Sequence, residues 1–145
     1  MSENAHLATI RRYYDGCNRG DIELMMSTFT PDVVHYFVEE PPIRGARELA
    51  NKWAEFQEEG RTARWTVDHG IAQGDEAVIE WTLVYTRPSR TPPSIIVRGA
   101  EWYFFRNGRI SEIRAYELVD GDHKCELDGF PYADRGYPMI PTSPV

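Results

Sequence analysis

The sequence predicts an α+β fold, and three observations support this assignment. Apolar residues recur every three to four positions through the first ~60 residues, as they do on one face of a helix. After Gly60 they alternate with polar residues, which is the period of a half-buried strand. The dipeptide Asn107-Gly108 is typical of a tight β-hairpin turn. Helices followed by hairpin-connected strands predict helices gathered on one face of an antiparallel sheet.

Two helices are predicted near the start of the chain. The first ends at Gly20, because glycine suits a helix C-cap, and Asp21 can then N-cap a short helix from Ile22 to Phe29. Pro31-Asp32 would end this second helix. The apolar stripe of the first helix consists of Leu7, Ile10, Tyr13 and Tyr14.

A strand and a third helix follow. Residues 33–38 are mainly β-branched and aromatic, which predicts a strand, and the prolines and glycine of 41–45 predict a stiff turn. A helix is then predicted from about Ala46 to Glu58. Its buried stripe would be Leu49, Trp53 and Phe56.

Four strands are predicted to form an antiparallel meander. They cover about 65–71, 77–86, 95–105 and 110–119, with a turn at 73–75 and a proline-rich loop at 87–94. Residues 1–119 are therefore assigned to one α+β domain. Residues 120–145 contain several prolines and aromatic residues, and we expect them to lie across this domain, or across a partner subunit, as an irregular C-terminal strap.

Composition excludes several classes of function. The chain of 145 residues is one domain by length, and its net charge of −7 disfavours a nucleic-acid partner. No apolar run approaches the ~20 residues of a membrane-spanning helix, and no basic-then-apolar leader is visible, so a cytoplasmic protein without membrane contact is expected. Cys17 and Cys125 lack metal spacing, and we expect two reduced thiols, although a single disulfide stays open.

The hairpin at Asn107-Gly108 predicts which side chains face the interior. A two-residue turn pairs Arg106 with Arg109, and strict alternation from there splits the two strands into an apolar and a charged face. The interior face would then carry Ala100, Trp102, Phe104, Ile113, Ala115 and Glu117. By their apolar patterns, the neighbouring strands would add Ile79, Trp81, Leu83, Tyr85, Trp65, Val67, His69 and Ile71, and the first strand would add Val33, His35 and Phe37.

An apolar interior with a few ionisable groups is typical of a small-molecule site. His35 is the candidate general base and Tyr13 the candidate oxyanion donor, while Glu117, its pKa raised by desolvation, could act as a second acid or base. Each could instead be an ordinary packed core residue or, for Glu117, a residue that reaches solvent. The candidate substrate-binding residues are Trp81, Trp102, Phe104, Phe37 and His69.

A second group of charged residues is predicted on the outer face. Alternation places Glu80, Glu101 and Arg114 there on adjacent strands. Their structural interpretation is a cross-strand salt bridge, or a bridge buried at a dimer contact. If the facing were inverted, they could instead form a catalytic network.

Three segments resemble the nuclear transport factor 2-like superfamily, in which ketosteroid isomerases and SnoaL-like cyclases occur. They are RYYDGCNRGDIELM, PDVVHYFVEEPPIRGARELANKW and RGAEWYFFRNGRISEIRAY, and the resemblance covers about residues 7–119. It implies a cone-shaped curved antiparallel sheet with helices over its concave face, and a homodimer formed through the outer face. The fold hosts many different reactions, so the resemblance alone does not choose among them.

The isomerase branch permits a comparison by residue. Tyr13 corresponds to its oxyanion-binding tyrosine, but Phe37 stands where the branch has its aspartate base and Ala100 near its second aspartate. The resemblance therefore argues against ketosteroid isomerisation itself.

The function expected is proton transfer without cofactor or metal. The substrate would be a hydrophobic small molecule, and the reaction an isomerisation, a dehydration or a cyclisation. The alternative is a non-catalytic dimeric domain of the same fold that binds a small molecule. A purely structural module and a hydrolase are further alternatives, although the hydrolase branch's aspartate–arginine–aspartate set has no clear counterpart.

Overall fold

A computed structural model describes residues 3–58, 62–86, 88–89, 94–117 and 126–139. Within these ranges the chain forms three α-helices, six strands and a short 3-10 helix at Ala133–Arg135. The helices are α1 (Ala5–Arg19), α2 (Ile22–Thr28) and α3 (Ala46–Glu58). The strands are β1 (Phe29–Tyr36), β2 (Ile43–Arg44), β3 (Arg64–Gln73), β4 (Glu76–Thr86), β5 (Ser94–Arg106) and β6 (Arg109–Glu117).

Helix α1 ends and α2 begins as the sequence predicts. Gly20 adopts a left-handed conformation with a φ of 64°, and its amide bonds the carbonyl of Cys17. Asp21 then caps α2, since its carboxylate accepts a 3.0 Å hydrogen bond from the Leu24 amide. These two adjacent caps turn the chain sharply, and the two helices pack against each other.

The six strands form one curved, open sheet in the order β2-β1-β6-β5-β4-β3. Strands β3 to β6 make the predicted antiparallel meander, and β1 joins it parallel to β6. The α+β fold prediction is confirmed. Strand β1 begins at Phe29 rather than Val33, and Ile43–Arg44 is a short strand paired with β1 where only a turn was predicted.

The predicted facing of β5 is wrong, and a β-bulge in the hairpin is the reason. Arg106 pairs with Arg109 as expected, but Phe105 pairs with Ile110 and Phe104 with Glu112, so Ser111 is an extra residue. The Ser111 hydroxyl donates to the Phe104 carbonyl oxygen over 3.0 Å, which holds the bulge. One extra residue shifts the register by one and exchanges the faces of β5 relative to β6.

The exchange moves the tryptophan and glutamate of β5 to the opposite sides from those predicted. Glu101 and Tyr103 are buried on the inner face, whereas Trp102 lies on the outer face with 41% of its surface exposed. Phe104 also lies outside, beneath the guanidinium of Arg114. The inner positions predicted on β6 stand as expected: these are Ile113, Ala115 and Glu117.

A second bulge, at Asp68, does the same in β3. Val67 pairs with Trp81 and His69 with Glu80, which leaves Asp68 unpaired in the ladder. Trp65 therefore faces the interior as predicted, but His69 and Ile71 are exposed, and their predicted inward facing is wrong. On β4 the predicted interior set is buried; it consists of Ile79, Trp81, Leu83 and Tyr85.

The described part of the C-terminal strap, residues 126–139, packs beside β4 and β5. Arg98 on the outer face forms an ion pair with Glu126 and lies 4.2 Å from the ring of Tyr132. The rings of Phe130, Tyr132 and Tyr137 contact one another over this residue. The predicted boundary at residue 119 and the second cysteine, Cys125, lie outside the described residues; Cys17 is a buried free thiol.

Candidate functional site

A cavity of about 490 Å³ lies between the inner face of the sheet and helices α1 and α3. Tyr13, Tyr14 and Cys17 of α1 and Trp53 of α3 form one side, while β1, β3, β4, β5 and β6 contribute the other. Much of the lining is aromatic. The cavity exists because these large side chains line the concave surface of the sheet without filling it.

Glu101 is the most buried carboxylate in this lining, with 6% of its surface exposed. The Tyr14 hydroxyl donates to its Oε2 over 3.0 Å, and the Tyr103 hydroxyl donates to the same oxygen. Burial and, secondarily, the charge of Glu101 raise the pKa of both tyrosines well above its ordinary range. The phenols therefore stay protonated and remain donors to the carboxylate.

His35 faces the other oxygen of this carboxylate. Its Nε2 lies 3.7 Å from Oε1 of Glu101, which is an ion-pair distance and too long for a hydrogen bond. The ring is fully buried. It stacks on the ring of Phe37, with centroids 4.2 Å apart, and makes an edge contact with Trp53, with centroids 5.7 Å apart. Neither ring nitrogen has a hydrogen-bond partner among the described residues. The packing of these two aromatic rings thus fixes the orientation of the imidazole beside Glu101.

Glu117 is the second carboxylate on the inner face near Glu101. It pairs with Gly99, two residues before Glu101 on β5, so the two glutamates are diagonal neighbours on the sheet. Backbone positions in that relation are typically about 7–8 Å apart. Desolvation, followed by the charges of Glu101 and Glu40, raises the pKa of Glu117 from 4.5 to about 7. Near neutral pH this carboxyl group is therefore both an available acid and an available base.

Gly99 keeps the space beside Glu117 open for Trp81. A methyl group at Gly99 would lie 2.6 Å from Cζ2 of Trp81 and 2.9 Å from the carbonyl oxygen of Tyr116. The indole therefore lies directly against the backbone of β5. Its Nε1 is buried without an acceptor among the described residues.

Tyr13 lies deep in the same wall. Its ring makes edge contacts with Tyr14 at 5.5 Å and Phe29 at 5.0 Å. Burial, followed by the proximity of Cys17 and Glu101, raises its pKa well above its ordinary range. It can donate a hydrogen bond but does not ionise near neutral pH.

The comparisons with known proteins identify the family. The family model described as a SnoaL-like domain matches residues 10–113, which is most of the chain. The chain belongs to the SnoaL-like family. The resemblance to the nuclear transport factor 2-like superfamily is thereby confirmed. Comparison with curated proteins finds no match.

Solved structures share the fold of this chain. A protein of unknown function with a cystatin-like fold from Methylobium petroleophilum PM1 is 33% identical, with a TM-score of 0.68, over 100% of this chain and 99% of its own. TerC, co-crystallised with polyporic acid, is 18% identical over 80% of this chain and 93% of its own, with a TM-score of 0.68. An M. tuberculosis LEH-like epoxide hydrolase is 19% identical over 79% and 84%, with a TM-score of 0.67.

The cavity of this SnoaL-like chain brings together most, but not all, of the predicted residues. The candidates that line it are His35, Tyr13, Glu117, Trp81 and Phe37. Trp102 and Phe104 lie on the outer face and His69 is exposed, so these three do not reach the cavity. Within the described residues, no group of three or more His, Cys, Asp or Glu side chains is arranged to hold a metal ion.

Tyr14 and Tyr103 are the residues that sequence reasoning missed, and Glu101 was considered only for an inverted facing of the sheet. Strict alternation placed Glu101 in an outer cluster with Glu80 and Arg114, but Arg114 instead pairs with Glu112 at 2.9 Å. One signal could have found the bulge. The signal is the spacing of three between two large apolar residues, Ile110 and Ile113, both of which are fully buried. A regular strand cannot keep two residues at that spacing on one face.

Proposed function

We propose that this SnoaL-like protein is an enzyme that moves a proton on a hydrophobic, ring-containing small molecule bound in the cavity. The observation that carries the proposal is the pairing of His35 with Glu101 in an aromatic wall, beside a second carboxylate at Glu117. A base, a group that stabilises its charged form and an acid therefore surround one space. This is the minimum set for general acid–base catalysis.

In the proposed reaction, His35 takes a proton from an activated carbon of the substrate. The C–H bond breaks, an N–H bond forms on the imidazole, and the electron pair moves to the substrate's carbonyl oxygen as an enolate. Glu101 stabilises the imidazolium at 3.7 Å, because opposite charges attract strongly in a water-poor site. The Tyr14 and Tyr103 hydroxyls hold the carboxylate in this orientation.

Glu117 and Tyr13 would complete the reaction. Tyr13 is a buried donor suited to the enolate oxygen. Protonated Glu117 would return a proton, either to another carbon, which gives an isomerisation, or to a leaving hydroxyl, which gives a dehydration. The raised pKa of Glu117 supports this role, because about half of the population carries the proton near pH 7.

Two structural relatives support action on a small molecule. TerC is described with polyporic acid, and the M. tuberculosis neighbour is described as an epoxide hydrolase. The alternative is a cavity that binds without chemistry, which Phe37 favours because it occupies the position of the isomerase branch's base. The His35–Glu101 pair favours catalysis over this alternative.

Deuterium exchange into β-tetralone separates the two functions without knowledge of the natural substrate. We expect the protein to accelerate exchange of the α-protons, followed by NMR in deuterated buffer. The variant His35→Gln should lose about a hundredfold or more of this acceleration, because general base catalysis contributes that much. Exposed His69 provides the matched control, and His69→Gln should exchange at the wild-type rate.

Circular dichroism and thermal unfolding of both variants check that they fold. Binding of β-tetralone with no accelerated exchange by the wild type would support the non-catalytic alternative. Equal exchange rates in wild type and folded His35→Gln would remove His35 from the mechanism.

We also propose that two copies pair through the outer face of the sheet. The uncovered part of this face presents Trp102, Phe104, Tyr116 and Tyr36, beside the pair formed by Arg114 and Glu112. Aromatic residues with charges of both signs suit a two-fold contact, since each charge can meet its opposite on the second copy. Sedimentation equilibrium would then show a dimer, and a monomer at all concentrations would contradict this proposal.

A further inference from the structure

The charges that line the cavity are strongly unbalanced. Among the described lining residues, five are glutamates and one, Lys52, is a lysine. Lys52 is already occupied, because its Nζ lies 3.2 Å from Oε2 of Glu40. A surplus of negative charge therefore remains along the cavity.

These carboxylates are arranged by depth. Glu101 is buried at the bottom and Glu117 is partly buried, whereas Glu39, Glu40 and Glu55 are exposed at the mouth. Desolvation and, after it, repulsion from Glu101, Glu40 and Glu39 raise the pKa of Glu117. A positive charge bound among these groups would relieve the repulsion, and a negative charge would add to it.

The walls between these carboxylates suit an aromatic ring that carries a positive charge. Trp53, Trp65 and Trp81 line the cavity, and an aromatic face attracts a positive charge through its quadrupole. The chain itself already uses this contact. The ammonium group of Lys52 lies 6.0 Å from the ring centroid of Phe37 and is held there by a carboxylate.

An unsatisfied donor marks a second feature of the ligand. Trp81 is 3% exposed, and its Nε1 has no acceptor among the described residues. A buried donor without a partner is destabilising, so an acceptor atom on a bound molecule would relieve that cost. The ligand should therefore combine a ring, an acceptor such as a carbonyl oxygen, and a charge opposite to that of the mouth.

We propose that the cavity selects a hydrophobic ring compound that carries a positively charged nitrogen. Its ring lies against the tryptophan-lined wall, and its cation lies at the mouth beside Glu39 and Glu55. The inference rests on the proposed function, because it takes the cavity to be the substrate site. It narrows the substrate class to amines, and it disfavours carboxylic acids.

Three probes of the same size and different charge test the selection. They are naphthylmethylammonium, naphthylmethanol and naphthoate, whose dissociation constants can be measured by quenching of tryptophan fluorescence at low salt. We expect the ammonium to bind at least about tenfold more tightly than the alcohol, and naphthoate to bind most weakly. The preference should shrink as salt increases, because the charges at the mouth are exposed to screening.

The double variant Glu39→Gln/Glu55→Gln should lose most of the preference and bind naphthylmethanol as the wild type does. Both residues are exposed, so the substitutions should not disturb folding. Glu76→Gln provides a control, because it removes a negative charge at the exposed start of β4, away from the cavity. It should leave all three dissociation constants unchanged.

The outcomes separate this inference from the proposed function. Equal affinities for the three probes, tighter binding of naphthoate, or no binding of any probe would each overturn the cation preference. Catalysed β-tetralone exchange would in those cases still support proton transfer. Conversely, a tenfold cation preference without β-tetralone exchange would uphold the inference and contradict the catalytic function.

Discussion

The two faces of the sheet treat buried charge in opposite ways. On the outer face, Arg98 forms an ion pair with Glu126 and donates to the Thr82 hydroxyl over 2.9 Å. Its Cζ also lies 4.2 Å from the centroid of the Tyr132 ring. On the inner face, Glu101 has tyrosine donors and a histidine that lies beyond hydrogen-bond distance. The outer group is closed by the strap, whereas the inner group faces a cavity.

This difference indicates what each region does. Arg98 has its charge neutralised by Glu126 and donates to Thr82 and to the Pro138 carbonyl oxygen, which favours one arrangement of the strap. Glu101 and Glu117 instead lie close together in a poorly solvated wall, and the pKa of Glu117 is raised to about 7. Their repulsion is a free-energy cost that a bound ligand or a proton can relieve. We therefore interpret the strap region as structural and the cavity as functional.

Breaking the Arg98–Glu126 pair should have the largest effect. The variant Arg98→Met leaves Glu126 without its cation, and the side chains are only 11% and 10% exposed. Removing one partner of a buried pair costs about 3–5 kcal/mol, and the strap can avoid that cost by leaving the sheet. The backbone amides of residues 126–139 should therefore lose their protection against hydrogen exchange, which mass spectrometry can measure.

The exposed pair of Arg106 and Asp32 supplies the control for this prediction. Arg106→Met should change exchange very little, because water and salt screen an exposed pair and it contributes little to stability. Arg98→Met should also keep its catalysed exchange of β-tetralone, since the strap does not line the described cavity. Unchanged protection of the strap in Arg98→Met would show that its aromatic contacts alone hold it.

Removing the charge of Glu117 should have the next largest effect, and its size should depend on pH. The pKa of the folded state is raised to about 7 from 4.5. The favourable contribution of the protonated carboxyl is therefore complete below about pH 4.5 and is lost as the pH rises through 7. In Glu117→Gln, which stays neutral, this loss of up to about 3 kcal/mol should disappear.

Urea unfolding at about pH 5 and about pH 8 measures this difference. The free energy of unfolding of the wild type should fall relative to that of Glu117→Gln between the two pH values. Glu112 on the outer face pairs with Arg114 and supplies the control, and Glu112→Gln should follow the wild type. Parallel pH dependence of wild type and Glu117→Gln would place Glu117 in water rather than in a low-dielectric wall.

The sequence predicted the fold better than it predicted the cavity, because the two depend on different information. Helix caps at Gly20 and Asp21 and the turn at Asn107-Gly108 are local signals, and the structure has all of them. The facing of β5 depends on Ser111, a single bulged residue whose effect passes to a neighbouring strand. Since strands have a period of two, that one residue moved Glu101 into the cavity and Trp102 out of it.

His35 and Trp81 were correctly placed because no bulge separates them from the residues that set their predicted facing. His35 is buried beside Val33 in β1, and Trp81 follows the unbroken alternation of β4. Tyr14, in contrast, was predicted only as part of an apolar stripe. Its hydrogen bond to Glu101 joins residues 87 positions apart, and no local pattern contains that contact.

The smallest of the three effects concerns the part of the outer face that the strap leaves uncovered. If that part pairs two copies, Trp102 should be a central contact, because a dimer would bury the 41% of this large aromatic residue that is exposed in one copy. Trp102→Ser should weaken dimerisation by about 2 kcal/mol, or roughly thirtyfold in dissociation constant, measured by sedimentation equilibrium. Leu127→Ser is the control, since Leu127 is 59% exposed on the strap, outside the uncovered part of the face. Equal weakening by both variants would mean that general surface hydrophobicity, and not this face, drives association; the outer surface would then hold no docking site to set against the cavity.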